Sequence, residues 1–335
     1  MSQFSDNFIA YGKEPSFEFT FDAVASQCFG TYWNDPEGHQ IKKPSVEFLL
    51  EHLADFDPFK ACVCAVIVGS CVENGFQSAK LDLILRFCKR ISDLLLDLSD
   101  DEPSLESNPD GYRAYMGYYF MIQSTMAVAT RDKTQRLTLA DYREKFEQLS
   151  DHFDKYQYLT RVLDLCDEEK LVVIDVEHTR AWECTVQHVE NNFSLLSLLQ
   201  LAFHHAGILK EMHVDYKYCE DTDLYVHNRF DYGKKLSKDS DMAVFGFHTA
   251  HACVGGQFVN NPVTMVFGDM QVQSLPEIDD YKIILIHREN MLNRSWDVNF
   301  LAPVHPYPQP EFNIIKELTK GEATDWLQRI CDKYK

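Results

Sequence analysis

Apolar residues recur at steps of three and four through the first half of this chain. Beyond residue 166 they give way to short alternating and β-branched runs. The first rhythm is that of helices burying one stripe, the second that of strands. Pro44 takes a favoured first-turn position, and Val46, Leu49, Leu50 and Leu53 behind it predict a helix. Asp57-Pro58 opens another, carried by Cys62, Val66 and Val68 to a stop near Asn74-Gly75. From Gln77 to Leu98, the residues Leu81, Ile84, Cys88, Ile91, Leu95 and Leu98 form the narrow seam of a helix packed on another helix.

An acidic, aperiodic stretch with two prolines, Ser99 to Gly111, reads as a loop. Tyr112 to Ala129 is apolar on nearly every side, which places the helix at the centre of a bundle. Thr138, with Asp141 three residues on, predicts the cap of the longest helix. Leu139, Tyr142, Phe146, Leu149, Phe153, Tyr156 and Leu163 lie along one side of it, facing an antiparallel neighbour within the chain. The helices come in hairpin-like pairs, as in α-solenoids, without the self-similar period that would mark repeats.

In the second half, Leu171-Val172-Val173-Ile174 is continuous enough for a buried strand over Lys170–Glu177, and Trp182–Val189 suits a second. Asn192 opens a helix through Leu196, Leu199 and Phe203 that Gly207 stops. Met212–Tyr218 and Leu224–Arg229 alternate like an antiparallel hairpin joined by Glu220-Asp221-Thr222-Asp223. Further strands are predicted at Ala243–His248 (continuing toward Val254), Val263–Phe267, Tyr281–His287 and Trp296–Phe300. Turn signals separate them, Asp279-Asp280 among these. A proline-rich connector, Pro303 to Pro310, leads to two short helices through Ile315 and Trp326. The fold class is therefore α+β. A helical domain over 1–166, bundled or in solenoid-like hairpins, precedes an α+β domain over 167–335 with a mainly antiparallel sheet and C-terminal helices.

Composition narrows the function classes. The 335 residues carry 52 acidic against 32 basic side chains, a net charge of -20. Such a surface repels phosphate backbones, and it is compatible with a basic protein partner and equally with plain solubility. Ten cysteines include no Cys-x-x-Cys pair, and several sit in apolar helical stretches as small hydrophobes, which suits a reducing cytosol. The first residues predict no secretory signal, and the apolar run 61–69 is far shorter than the ~20 residues that span a bilayer.

Candidate chemistry concentrates at Asp175-x-Glu177, where an apolar strand ends. Residues i and i+2 of a strand share a face. Paired carboxylates suit a divalent metal ion, and paired metals can activate water for phosphodiester attack. Val173-Ile174-Asp175-Val176-Glu177 resembles the first metal motif of the DEDD-type 3′–5′ exonucleases, a resemblance of about eight residues that implies a metal-dependent nuclease. That family's late His-x4-Asp is not matched, since Cys253 follows His248 at that interval and position 256, after His251, holds glycine. His248 and His251 form a second possible metal pair with Cys253 nearby, although a zinc site needs further ligands from elsewhere. A third feature, Tyr115, Tyr119 and Met126, has the composition of an apolar ligand pocket. Phosphate loops, dinucleotide fingerprints and hydrolase nucleophile elbows are absent from the sequence.

The expectation is a cytosolic acidic protein that binds a basic protein, in the manner of an inhibitor or immunity protein, without a cofactor. The alternative is a metal-dependent phosphodiesterase centred on Asp175 and Glu177.

Overall fold

The computed structural model describes residues 2–19, 24–25, 27–28, 41–98, 104–227, 241–255, 257–268, 270–288, 295–296 and 309–334. They fall into two compact units, one within 1–163 and one within 164–334. The architecture is α+β: N-terminal helices, then a mixed, mostly antiparallel sheet and a C-terminal helix. No described helix is long and apolar enough to cross a membrane.

The first unit contains α1 (Ser2–Lys13), α2 (Lys43–His52), α3 (Pro58–Glu73), α4 (Asp82–Leu96), α5 (Pro109–Ala129), α6 (Lys133–Leu137), α7 (Arg143–Ser150) and α8 (Gln157–Leu163). As the prolines predict, α2 and α3 each carry one within the first two helical positions. Asp57 caps α3, its Oδ1 accepting from the backbone N–H of Phe59 (3.1 Å) and Lys60 (3.3 Å). Its other oxygen pairs with Arg113 Nε of α5 at 3.3 Å, both residues being buried. The α3 and α5 backbones approach closely at two small residues. A Cβ on Gly117 would lie 2.8 Å from that of Cys62, and one on Gly69 would lie 2.9 Å from Ser124 Cα. Position numbers rise together across these contacts, so the two helices run parallel. The predicted α4 seam is buried through Ile84, Cys88, Ile91 and Leu95.

Two expectations for this unit change. The long helix from Thr138 is broken into 3₁₀ turns at Ala140–Tyr142 and Asp154–Tyr156 around α7 and α8, and Asp132, not Thr138, provides a cap, for α6. Weak helix formers at Asp151-His152-Phe153-Asp154 permit the break. The new direction seats Tyr156 against the Tyr118 ring and within 3.1 Å of Ser92 Oγ. Nor is α5 buried on every side. Residues 124–129 are buried, whereas Tyr115, Met116 and Tyr119 face outward.

The second unit is built on a sheet of order β10-β2-β1-β8-β4, with β7 also on β8. The strands are β1 (Glu168–Asp175), β2 (Arg180–Gln187), β3 (Asp241–Met242), β4 (Gly246–His248), β5 (Cys253–Val254), β6 (Gln257–Phe258), β7 (Glu277–Ile278), β8 (Tyr281–His287), β9 (Ser295–Trp296) and β10 (Glu311–Glu317). β1 and β8 are parallel, and the other pairings are antiparallel. Leu171 and Val173 pack into the core formed with α9 (Asn192–His205), while Val172 and Ile174 join that of α12 (Lys320–Lys333). A strand covered on both faces has no polar side, hence the unbroken apolar run. Gly207, at φ +78°, ends α9 as predicted, and Asp279 and Asp280, both at positive φ, turn β7 into β8.

After α10 (Ile208–Glu211), the predicted Met212–Arg229 hairpin is replaced by an irregular stretch and α11 (Glu220–Val226). Glu220, Asp221 and Asp223 fall in the first turn of α11, where carboxylates favour the helix dipole; residues from 228 lie outside the described ones. Val263–Phe267 is not a strand, because Asn261 caps a 3₁₀ turn over Pro262–Thr264. The strand predicted from Ala243 is short, confined to β4, and Thr249 leads into a 3₁₀ turn before β5. Of Trp296–Phe300 only Trp296 is described, and most of the proline-rich connector lies outside the described residues. Ile315 sits at a bulge in β10, not in a helix, because β10 hydrogen-bonds to β2. The one closing helix, α12, starts with a Thr319–Glu322 capping box.

Candidate functional site

The polar residues at the end of β1 are organised by Asp175, which is 1% exposed. Its Oδ1 accepts from the backbone N–H of Glu177 (3.0 Å) and His178 (3.2 Å), and its Oδ2 lies 2.9 Å from His178 Nδ1. This carboxylate closes the β1–β2 turn, where Thr179 takes φ +52°. The strand ends at Asp175, so Glu177 is a turn residue and does not share a strand face with it. Glu177 turns toward β8 instead, its Oε1 3.2 Å from His287 Nε2 and its Oε2 3.8 Å from Arg288 Nε. Phe258 of β6 stacks on His287 at 5.1 Å.

Among the described residues, Asp175, Glu177 and His178 are the group of acidic or imidazole side chains whose ligand atoms lie within 4.8 Å of one another. A cation there would compete with the turn's own donors for both Asp175 oxygens. The geometry therefore fits a structural turn cap better than a metal centre. His178, His287 and Arg288 were not legible as partners in the sequence. His178 simply follows Glu177, and the other two become neighbours only through the β1–β8 pairing.

Among the described residues, His248 and His251 belong to no group of three or more potential metal ligands. His248 is buried on β4, its Nδ1 3.1 Å from Thr264 Oγ1 and its ring edge-on to Phe258. His251 is exposed in the following 3₁₀ turn, against Tyr334. The 3₁₀ turn breaks the strand spacing on which a shared face depended.

In the helical unit, the outward side of α5 carries three large side chains exposed within five positions. Tyr115, Met116 and Tyr119 are 40%, 46% and 38% exposed. Tyr115 stacks on Tyr118 and touches Phe153, and Tyr118 in turn stacks on the buried Tyr156. Burial, reinforced by Asp154, pushes the Tyr118 hydroxyl up, so it stays neutral. Exposed Glu106 and Asp110 lead into the helix. Of the residues expected to form a pocket, Met126 is buried while Tyr115 and Tyr119 are exposed.

A cleft of about 760 Å³ lies elsewhere in this unit, lined by Lys43, Glu73, Gln77, Ser78, Arg131 and Asp132 among others. Burial raises the Glu73 carboxyl to about 7, against the pull of Arg131. No protein-family model, curated protein or solved structure matches this chain.

Proposed function

We propose that this protein works by binding another protein, and that the partner is basic. The reading is supported above all by the α5 face, where Tyr115, Met116 and Tyr119 lie exposed on a helix anchored by the buried core behind it. Aromatic and methionine side chains are enriched in protein interfaces, and rings already held by neighbours lose little freedom on binding. The acidic entry to α5 and the net charge of -20 would speed encounter with a cationic surface. An inhibitor or immunity-like role toward a basic toxin or nuclease is the specific form proposed, in the cytoplasm.

The test is affinity capture at low salt, followed by titration calorimetry with the purified candidate. A complex that weakens with salt, and at least tenfold on Tyr115→Ala/Met116→Ala/Tyr119→Ala, is expected. Equal binding by the triple variant, or no complex at low salt, would overturn the proposal.

A second reading, a metal-dependent phosphodiesterase, is favoured only by the proximity of Asp175, Glu177 and His178. It requires magnesium- or manganese-dependent cleavage that Asp175→Ala abolishes. Calorimetry without metal uptake would dispose of it.

A further inference from the structure

In the sheet unit, a cleft of about 290 Å³ is bordered by α9, the end of α11 and β10. Its walls are apolar: Leu198, Leu201 and Ala202 come from α9, and Phe312 and Ile314 from β10. Two imidazoles line it, His205 at the end of α9 and His227 directly after α11. Asn313 borders it as well, but its side-chain amide turns to Glu311 Oε2 at 3.5 Å.

The neighbours of His227 fix its tautomer. Its Nδ1 lies 2.7 Å from Asp223 Oδ1 and 2.9 Å from the Asp223 carbonyl oxygen. A carbonyl oxygen can only accept, so Nδ1 carries the hydrogen. The other Asp223 oxygen, Oδ2, accepts from Tyr218 Oη at 2.7 Å. That hydrogen bond, together with burial, pushes the Tyr218 hydroxyl up to about 12, so it remains a donor. The Tyr218 ring in turn packs against His204 and His205. Asp223 thus sets both the orientation and the tautomer of His227, as carboxylates do for histidines that meet ligands. With Nδ1 committed to Asp223, a neutral His227 presents Nε2 as a bare acceptor, and among the described residues that nitrogen has no hydrogen-bond partner.

We infer that this cleft binds a small uncharged alcohol or phenol, its apolar body against α9 and β10 and its hydroxyl donating to His227 Nε2. Apolar walls with one oriented polar group are the ordinary make-up of a small-molecule site. Anionic ligands are disfavoured, because Glu220, Asp221 and Asp223 stand together in the first turn of α11. A hydrocarbon of the same shape would cover Nε2 without giving it a donor, so the site discriminates by the hydroxyl. The cleft belongs to the sheet unit, and its occupation does not depend on the α5 face.

The full-length protein is titrated at pH 8 with 4-methylphenol and, separately, with toluene, using ligand-observed NMR, while the imidazole nitrogens are followed in long-range proton–nitrogen spectra. 4-Methylphenol should bind about fivefold tighter than toluene, the worth of one neutral hydrogen bond. His227 should show the Nδ1–H tautomer, with an Nε2 resonance that moves on adding 4-methylphenol and not on adding toluene. His227→Leu should abolish the preference for the phenol while toluene still binds, and Ala202→Trp, which fills the cleft, should remove both. The wild-type nitrogen spectra decide the matter even if either variant folds poorly. Equal affinity for the two probes, no binding of 4-methylphenol, an Nε2 resonance unmoved at saturation, or undiminished binding by Ala202→Trp would overturn the inference.

Discussion

Asp57 in the helical unit and Asp175 in the sheet unit perform the same local operation in different surroundings. Each is buried, and each accepts from the backbone N–H groups two and three residues ahead: Phe59 and Lys60 in one case, Glu177 and His178 in the other. Each turns its second oxygen to a nitrogen-bearing side chain. For Asp57 this is Arg113, a buried residue on a different helix. For Asp175 it is His178, three residues away and largely exposed. One carboxylate starts a helix and binds two helices together, while the other closes a hairpin. In the sequence only Asp175 looked catalytic, because an apolar strand and a second carboxylate stood beside it. A buried carboxylate is best judged by how many internal donors already claim its oxygens, and by that measure the two are alike.

The largest effect should come from breaking the Asp57 side of this pair. Asp57→Ala removes a helix cap and leaves the Arg113 guanidinium buried without its ion pair. A loss of about 3–5 kcal/mol is expected in urea unfolding followed by circular dichroism. A loss below 1 kcal/mol would show that solvent reaches Arg113 once the carboxylate is gone.

Glu73 sharpens the contrast, because burial at that carboxyl outweighs the attraction of its cation, Arg131. Its folded-state value of about 7 stands above the ordinary 4.5, so the native protein holds this proton longer than the unfolded chain does. The associated stability is fully present below about pH 4.5, is lost as pH rises toward about 7, and stays lost above it. Glu73→Gln escapes that loss. Its stability relative to wild type should therefore increase by about 1–2 kcal/mol between pH 5 and pH 8, a range discounted for the partial exposure of the carboxyl. Parallel wild-type and variant pH profiles would refute the burial argument.

Asp175→Ala should cost about 1–2 kcal/mol, less than Asp57→Ala, because the stranded His178 can turn to water. Asp175→Asn retains an acceptor oxygen and should fall between the alanine variant and wild type in the same unfolding assay. A loss as large as that of Asp57→Ala would show that the exposure of His178 does not soften the change.

The smallest effect is expected at Thr179. A β-branched residue at φ +52° holds a conformation that glycine adopts freely, so Thr179→Gly should raise stability by about 0.5–1 kcal/mol in thermal unfolding. Destabilisation would mean that the threonine side chain contributes more than its backbone strain costs.

Several features were legible because their causes are local. Pro44 and Pro58 begin helices, Gly207 ends one, Asp279-Asp280 turns a hairpin, and the Leu81-to-Leu95 stripe is a packed seam. The false Met212–Arg229 hairpin had the right alternation. However, three carboxylates at the first turn of α11 favour a helix, and period-two patterning does not register them. Ile315 followed helical spacing, yet the residues on either side of it, Ile314 and Lys316, are paired with β2 across more than a hundred residues. At the candidate site, Asp175 and Glu177 stood out by spacing alone. His287 and Arg288 did not, since their proximity depends on strand register.

By itself the sequence determined the α+β class, many helix ends, the apolar character of β1 and β8, and the acidity. Each follows from residues acting on near neighbours, or from a simple sum of charges. Only the tertiary structure decided that β1 and β8 run parallel with helices on both faces, that α5 is buried at one end and exposed at the other, and that Asp175 is occupied within its own turn. Those outcomes depend on which distant backbone groups meet, and burial and hydrogen bonding are assigned only when they do.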